Sequence, residues 1–233
     1  MRGAMAARIL PYWARIPAIM MRDVSLYLVV EAGQTAPDRV GSVLAERDVP
    51  SMLIVPAGED ALTAAVALPL VELGQAHGTA VLIGDDARLA RTLKADGVHL
   101  DMTKDIVAQY REAREIVGGG AIVGANAGKS RHDAMMLGEI GVDYVGFGAP
   151  PQLRDRPAGE QRRRDMISWW SELFEIPCVA FDVDTTNGAA DVVGAGADFV
   201  TCRIDAGMSV ADARDRVVSF ARALAGERSE VSL

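Results

Sequence analysis

The chain has 233 residues, room for one large domain or two small ones. Half of them are hydrophobic (50%) and 24% are charged, which excludes wholesale disorder. The formal net charge is −8 and only Lys94, Lys104 and Lys129 are lysines, so no basic stripe for a nucleic acid is expected.

Residues 1–22 read as a poorly ordered N-terminal extension, and residues 23–233 as one domain. The extension carries Arg2, Arg8 and Arg15, but Pro11 and Pro17 break its apolar run. Neither a secretory signal nor a membrane span is expected, and a cytoplasmic protein is. Cys178 and Cys202 form no disulfide framework and read as small buried strand residues. His77, His99 and His132 are too scattered for a Cys/His metal cluster.

From residue 23 onward two textures alternate. Apolar β-rich runs lie at 26–30, 52–55, 79–83, 97–100, 121–125, 144–147, 178–181 and 199–202. They are continuous rather than alternating, as in parallel strands buried on both faces. Helical spacing follows each run, over 38–48, 60–76, 87–95, 104–117, 131–140, 160–174, 187–194 and 210–224. Asp60, Asp85, Thr103, Ser130, Thr186 and Ser209 are placed to cap helix starts. Gly118, Gly119 and Gly120 read as a turn, and residues 162–164 as a solvated basic helix face. Eight strand–helix units predict a single (β/α)₈ barrel, with a doubly wound sheet as the alternative.

In such a barrel chemistry sits just past the strand ends. Those positions hold Glu31, Glu59, Asp85 with Asp86, and Asp101. Further round come Asn126 with Lys129, Arg154 with Arg156, Asp182 with Asp184, and Arg203 with Asp205. Carboxylates outnumber cations. Such a mouth binds a hard cation or a cationic small molecule, or else some of its carboxylates hold protons. A phosphate there would need Mg²⁺, helix N-termini, or Lys104, Lys129 and Arg203.

The residues Ile83-Gly84-Asp85-Asp86-Ala87-Arg88-Leu89-Ala90, followed by Ala95-Asp96-Gly97-Val98-His99-Leu100, resemble the central motif of the thiamine phosphate synthase and TenI superfamily. Leu26-Tyr27-Leu28-Val29, Ile122-Val123-Gly124 and Gly141-Val142-Asp143-Tyr144-Val145-Gly146-Phe147-Gly148 add to the resemblance. So do Pro177-Cys178-Val179-Ala180-Phe181 and Ala195-Gly196-Ala197-Asp198. The resemblance implies a TIM barrel, often a homo-oligomer, acting on small molecules. It implies an alkyl transfer in which hydroxymethylpyrimidine diphosphate is joined to thiazole phosphate and pyrophosphate leaves, with Mg²⁺ held by two aspartates.

Departures from the family pattern are several. Its Asn-Asp-Arg reads Gly84-Asp85-Asp86, so Asp85 keeps the first metal position. Its second metal aspartate falls on Lys104, with Asp101 and Asp105 as substitutes. The second-strand Gln-Leu-Arg-x-Lys has become Leu53-Ile54-Val55-Pro56-Ala57-Gly58-Glu59, without its cations. The loop Ser-Thr-His reads Asn126-Ala127-Gly128, and the phosphate-cradling Gly-Gly reads Asp182-Val183. A Cβ and a carboxylate there oppose a phosphate. The resemblance thus assigns Lys104, Asn126, Lys129, Asp182 and Arg203 to substrate, and Asp85 with Asp101 or Asp105 to Mg²⁺. Three readings follow: a divergent thiamine phosphate synthase, a barrel of changed specificity for a less anionic heterocycle, or a non-catalytic ligand-binding barrel. In the last, His99 is a satisfied core residue.

Overall fold

The structure is a computed structural model that describes residues 24–58, 60–150 and 152–230. The proposed extension over residues 1–22 and the candidate Glu59 lie outside the described residues. Every apolar run forms a strand and every helical stretch a helix. The pairs are β1 (Ser25–Glu31) with α1 (Ala36–Leu44), β2 (Ser51–Val55) with α2 (Ala64–Ala76), β3 (Ala80–Gly84) with α3 (Ala87–Leu93), and β4 (Gly97–Leu100) with α4 (Ile106–Val117). They continue as β5 (Ile122–Asn126) with α5 (Arg131–Glu139), β6 (Tyr144–Phe147) with α6 (Arg156–Leu173), β7 (Cys178–Ala180) with α7 (Thr186–Gly194), and β8 (Phe199–Ile204) with α8 (Val210–Glu230).

All neighbouring strands pair in parallel, and β8 returns to β1 with Leu28 opposite Cys202 and Val30 opposite Ile204. The sheet is therefore a closed barrel, and the doubly wound alternative is overturned. Strand residues divide into two sets. Leu28, Ile54, Val98 and Val200 face the helices in the outer core. Tyr27, Val29, Leu53, Leu82, Tyr144, Val179 and Phe181 fill the interior. The continuous apolar texture follows from having packed residues on both sides.

Two glycines make the interior possible. A Cβ on Gly124 would stand 2.0 Å from the Tyr144 ring, and one on Gly146 would stand 2.8 Å from Phe181. Small residues on β5 and β6 thus leave the space these two rings occupy.

The acid that precedes each even-numbered strand from β4 to β8 has a repeated structural task. The carboxylates of Asp96, Asp143 and Asp198 accept hydrogen bonds, each 2.8 Å long, from the backbone N–H of Val81, Val123 and Cys178. Each ties the start of its own strand to the start of the strand before it. Asp143 also pairs with Arg114, whose guanidinium donates to the carbonyls of Gly118 and Ala121. The Gly118 turn is held this way.

Helix starts differ from the expected ones where local chemistry decides. Asp86, not Asp85, caps α3 by accepting from Leu89 N–H. Asp105, not Thr103, caps α4, and Thr185 rather than Thr186 caps α7. Helix α2 begins after Thr63, not at Asp60. Helix α6 starts four residues early because Asp155 accepts from Ala158 N–H and Pro157 suits its first turn.

Candidate functional site

The C-terminal ends of the strands open into a cavity of about 480 Å³. Its floor is Phe181 stacked on His99, with ring centroids 4.5 Å apart, and Val29 and Leu53 beside them. Its rim is acidic: Glu31, Asp85, Asp101, Asp182 and Asp184 line it, against Arg203 as the single cation among the described residues.

The β3 and β4 ends form one hydrogen-bonded unit. Asp85 adopts a left-handed conformation (φ 54°), which an aspartate tolerates better than most residues. Its N–H donates to His99 O, and its Oδ1 accepts from Asp101 N–H at 2.7 Å. Asp101 Oδ1 accepts from Met102 N–H and from Asn126 Nδ2. Asn126 Oδ1 in turn accepts from Gly128 N–H. Partial desolvation at the rim pushes the Asp85 carboxyl above the ordinary carboxylate range. The hydrogen bond from Asp101 N–H opposes this, and the Asp101 charge adds to it.

The β7 end places Asp182 half-buried, also left-handed (φ 57°), with Oδ2 so close over Gly148 that a Cβ there would lie 2.6 Å from it. Burial pushes the Asp182 carboxyl up, the nearby Arg163 pulls it down, and Asp101 and Asp184 push it up again; the outcome is a raised pKa. The cations of this corner do not face the cavity. Arg163 is 3% exposed and donates to the carbonyls of Phe181 and Asp182 at 2.8 and 2.7 Å. Arg156 pairs with Asp184 and Glu160 and donates to Asp182 O. The expectation of a solvated basic face over 162–164 is therefore corrected at Arg163. A lone basic cluster gives no sign in sequence of which member turns inward toward strand-end carbonyls.

Arg203 is held by Glu31 at 2.6 Å and Asp205 at 3.1 Å. Burial pushes Glu31 up, but hydrogen bonds from Ala206 N–H and Arg203 outweigh it and hold its pKa below the ordinary value.

Of the residues expected at the site, Asp85, Asp101, Asn126, Asp182 and Arg203 come together on the cavity wall. Lys104, Asp105 and Lys129 do not line it. Lys104 and Lys129 are exposed on the loops after β4 and β5, and Asp105 is turned to Ala108 N–H as a helix cap. Among the described residues no ion pair joins Lys104 to Asp85.

Three polar residues on the wall, His99, Gln152 and Thr201, were not in the candidate set. His99 is 4% exposed yet reaches the cavity floor, and Gln152 comes from the loop after β6. His99 could have been found from the strand alternation, since it lies two residues before Asp101. Burial lowers its pKa to about 4, with the Asp101 charge opposing, so the ring is neutral at physiological pH.

Asp85 and Asp101 are the carboxylates that bear on a Mg²⁺ site. Asp85 and Asp101 each engage Oδ1, and Oδ2 of each accepts no hydrogen bond among the described residues. No group of three acidic, His or Cys side chains forms a closed cage among the described residues. Two open carboxylate oxygens fit Mg²⁺, which keeps waters and takes the rest of its oxygens from phosphates.

A family model described as thiamine monophosphate synthase matches residues 26–204, all eight strands of this barrel. The chain belongs to that family. The thiamine-phosphate synthase of Erythrobacter litoralis is 39% identical over 164 residues, 70% of this chain and 75% of the relative. That of Rhodospirillum centenum is 36% identical over 185 residues, 77% of this chain and 87% of the relative. A solved thiamine phosphate pyrophosphorylase from Pyrococcus furiosus superposes with a TM-score of 0.67 at 20% identity, over 88% of this chain and 98% of its own, and shares the fold. Within the thiamine monophosphate synthase family, this member places its acidic rim and inward-turned arginines on a barrel of the expected kind. No helix among the described residues is long and apolar enough to cross a membrane.

Proposed function

We propose that the chain is an enzyme of thiamine biosynthesis that joins hydroxymethylpyrimidine diphosphate to thiazole phosphate and releases pyrophosphate. The observation that carries this is the Asp85–Asp101 pair, with one open oxygen each, at the mouth of a family barrel. In the reaction the bond from the pyrimidine methylene to the diphosphate oxygen breaks, and its electron pair leaves with pyrophosphate. The thiazole nitrogen lone pair forms the new bond to the methylene carbon. Asp85 and Asp101 would hold Mg²⁺, which would supply charge neutralisation for the leaving pyrophosphate. The protein's own part is to hold the two heterocycles at reacting distance. Phe181 and His99 offer a flat floor for a ring, and the cavity of about 480 Å³ has room for both reacting centres.

A second reading is favoured by Asp182. Its carboxylate accepts no hydrogen bond among the described residues, while Arg156 and Arg163 are turned to backbone oxygens beneath it. Such a corner disfavours a phosphate monoester and favours a hydroxyl or another donor, so the accepted thiazole would lack its phosphate.

One turnover assay separates the readings. Protein, Mg²⁺ and hydroxymethylpyrimidine diphosphate are mixed with either thiazole phosphate or the thiazole alcohol, with Asp85→Ala as control. Product from the phosphate that vanishes in the control supports the first reading. Product from the alcohol alone supports the second. No product from either, with folded protein, overturns both.

A further inference from the structure

Three aromatic side chains form a continuous polar line inside the barrel. Tyr27 Oη lies 2.9 Å from Tyr144 Oη, and Tyr144 Oη lies 2.8 Å from His99 Nδ1. All three are buried: Tyr27 is 2% exposed, His99 4% and Tyr144 6%. The residues are 117 and 45 positions apart, so only barrel closure joins them. Val29, Leu53, Leu82, Val179 and Phe181 pack around them, the nearby Thr201 hydroxyl is turned to Ala180 O, and among the described residues Tyr27 Oη makes no hydrogen bond other than the one to Tyr144 Oη.

That setting fixes the direction of the hydrogen bonds. If His99 Nδ1–H donated to Tyr144, Tyr144 would donate to Tyr27, and the buried Tyr27 hydroxyl hydrogen would have no partner among the described residues. A buried donor without an acceptor is strongly disfavoured. In the opposite direction Tyr27 donates to Tyr144 and Tyr144 donates to His99 Nδ1, so both buried hydroxyl donors are used and the one donor left over, on the imidazole, is the one beside the cavity. The ring proton then sits on Nε2, which makes no hydrogen bond among the described residues, and His99 lines the cavity floor.

We propose that Tyr144, backed by Tyr27, is a positioning residue that locks His99 as the Nε2–H tautomer, so that the floor of the mouth offers a hydrogen-bond donor to an acceptor atom of the bound heterocycle. The clause about the heterocycle rests on the reading of the mouth as the substrate site; the tautomer does not. A ring nitrogen or carbonyl suits such a donor, and the stacking of His99 on Phe181 and its 1° alignment with Tyr144 keep the imidazole plane fixed.

The test reads the ring nitrogens directly. ¹⁵N-labelled full-length protein carrying His77→Gln and His132→Gln, both at exposed positions, leaves His99 as the only histidine signal. The expected spectrum shows one tautomer, with the proton on Nε2. Tyr144→Phe keeps the ring packing and removes the donor to Nδ1, so the single tautomer should give way to a mixture. Tyr27→Phe leaves Tyr144 able to donate to Nδ1, so the tautomer should persist. A proton on Nδ1 in the parent protein, or an unchanged single Nε2–H tautomer in Tyr144→Phe, overturns the proposal. If Tyr144→Phe fails to fold, the parent spectrum and the Tyr27→Phe spectrum still decide it. In the turnover assay Tyr144→Phe should lower kcat/KM about tenfold, the loss of roughly one hydrogen bond, with Tyr27→Phe nearer the parent. The spectra are taken without substrate, so an inactive parent would overturn the proposed reaction while leaving the tautomer result to stand or fall alone.

Discussion

The Asp85 carboxylate is oriented by the backbone of Asp101: its Oδ1 accepts the Asp101 N–H at 2.7 Å, across the ends of two adjacent strands. This bond favours the ionised Asp85 carboxylate and leaves the Asp101 carboxylate outside it. Asp85→Asn keeps an acceptor for it and keeps a residue that tolerates φ 54°. The variant should unfold within about 1 kcal/mol of the parent. Its turnover should fall at least about a hundredfold, because an amide is a poor ligand for Mg²⁺. Asp85→Ala should lose the same activity and, in addition, about 1–2 kcal/mol of stability from the left-handed backbone and the missing acceptor. Thermal unfolding and turnover on the two variants check this. Full activity in Asp85→Asn would remove Asp85 from the metal site.

The rim acids give opposite signs to the pH dependence of stability. Asp182 and Asp85 have raised folded pKa values, so the native state binds more protons than the unfolded chain between the ordinary carboxylate value and the raised one. Stability contributed by these groups therefore falls as pH rises through that window. Glu31 has a lowered folded value, so its contribution is present above the ordinary value and lost as pH falls through the lowered one. Asp182→Asn should raise the melting temperature at pH 7 and leave it unchanged at pH below the ordinary carboxylate range. Glu31→Gln should lower it at pH 7, where Arg203 loses its partner. Melting curves over a pH series read both. A lower melting temperature for Asp182→Asn at pH 7 would mean that the charge at position 182 stabilises the fold.

How much of this was legible in the sequence depends on the range of the contacts. Strands β4 and β6 match their apolar runs end to end because glycine or an acid marks one edge and a polar residue or glycine the other. Helix starts were displaced where two neighbouring acids competed, as with Asp85 and Asp86, since spacing alone does not say which one turns to the helix. Asp182, Asn126 and Arg203 were found by counting past strand ends, a local rule. Asp105 was assigned through the family resemblance and Lys104 and Lys129 as the cations of nearby loops, yet none of the three lines the cavity. The Tyr27–Tyr144–His99 line and the inward turn of Arg163 depend on which strands become neighbours, information carried by no local pattern.

Asp143 should behave as a structural acid despite its place in a motif shared with the family. It accepts from Val123 N–H at 2.8 Å and pairs with Arg114, both partly buried. Asp143→Ala leaves a strand N–H unpaired and a guanidinium without its counter-charge, so a loss of about 3–5 kcal/mol is expected. Asp143→Asn keeps an acceptor for Val123 and should lose less. Urea unfolding of the two variants gives the order. Turnover per folded molecule should stay near the parent value, because Asp143 lies at the opposite end of β6 from the cavity. A near-parent stability for Asp143→Ala would show that the pair with Arg114 contributes little.

The corner at β7 offers the sharpest test of substrate charge. Asp182 has φ 57°, a conformation glycine adopts freely, so Asp182→Gly should fold without strain. The substitution removes a carboxylate and a Cβ from beside the backbone N–H groups of the loop. It leaves Arg163 and Arg156 beneath, donating to the carbonyls of residues 181 and 182. If Asp182 repels a phosphate monoester, the variant should bind thiazole phosphate at least about tenfold more tightly, a change of about 1.4 kcal/mol. Binding of the thiazole alcohol should weaken, because its hydroxyl loses an acceptor. Calorimetric titration of both compounds into parent and variant measures the two changes together. Equal affinity for thiazole phosphate in the two proteins would show that Asp182 does not select on phosphate, and the acidic rim would then act on the substrate only through Asp85 and Asp101.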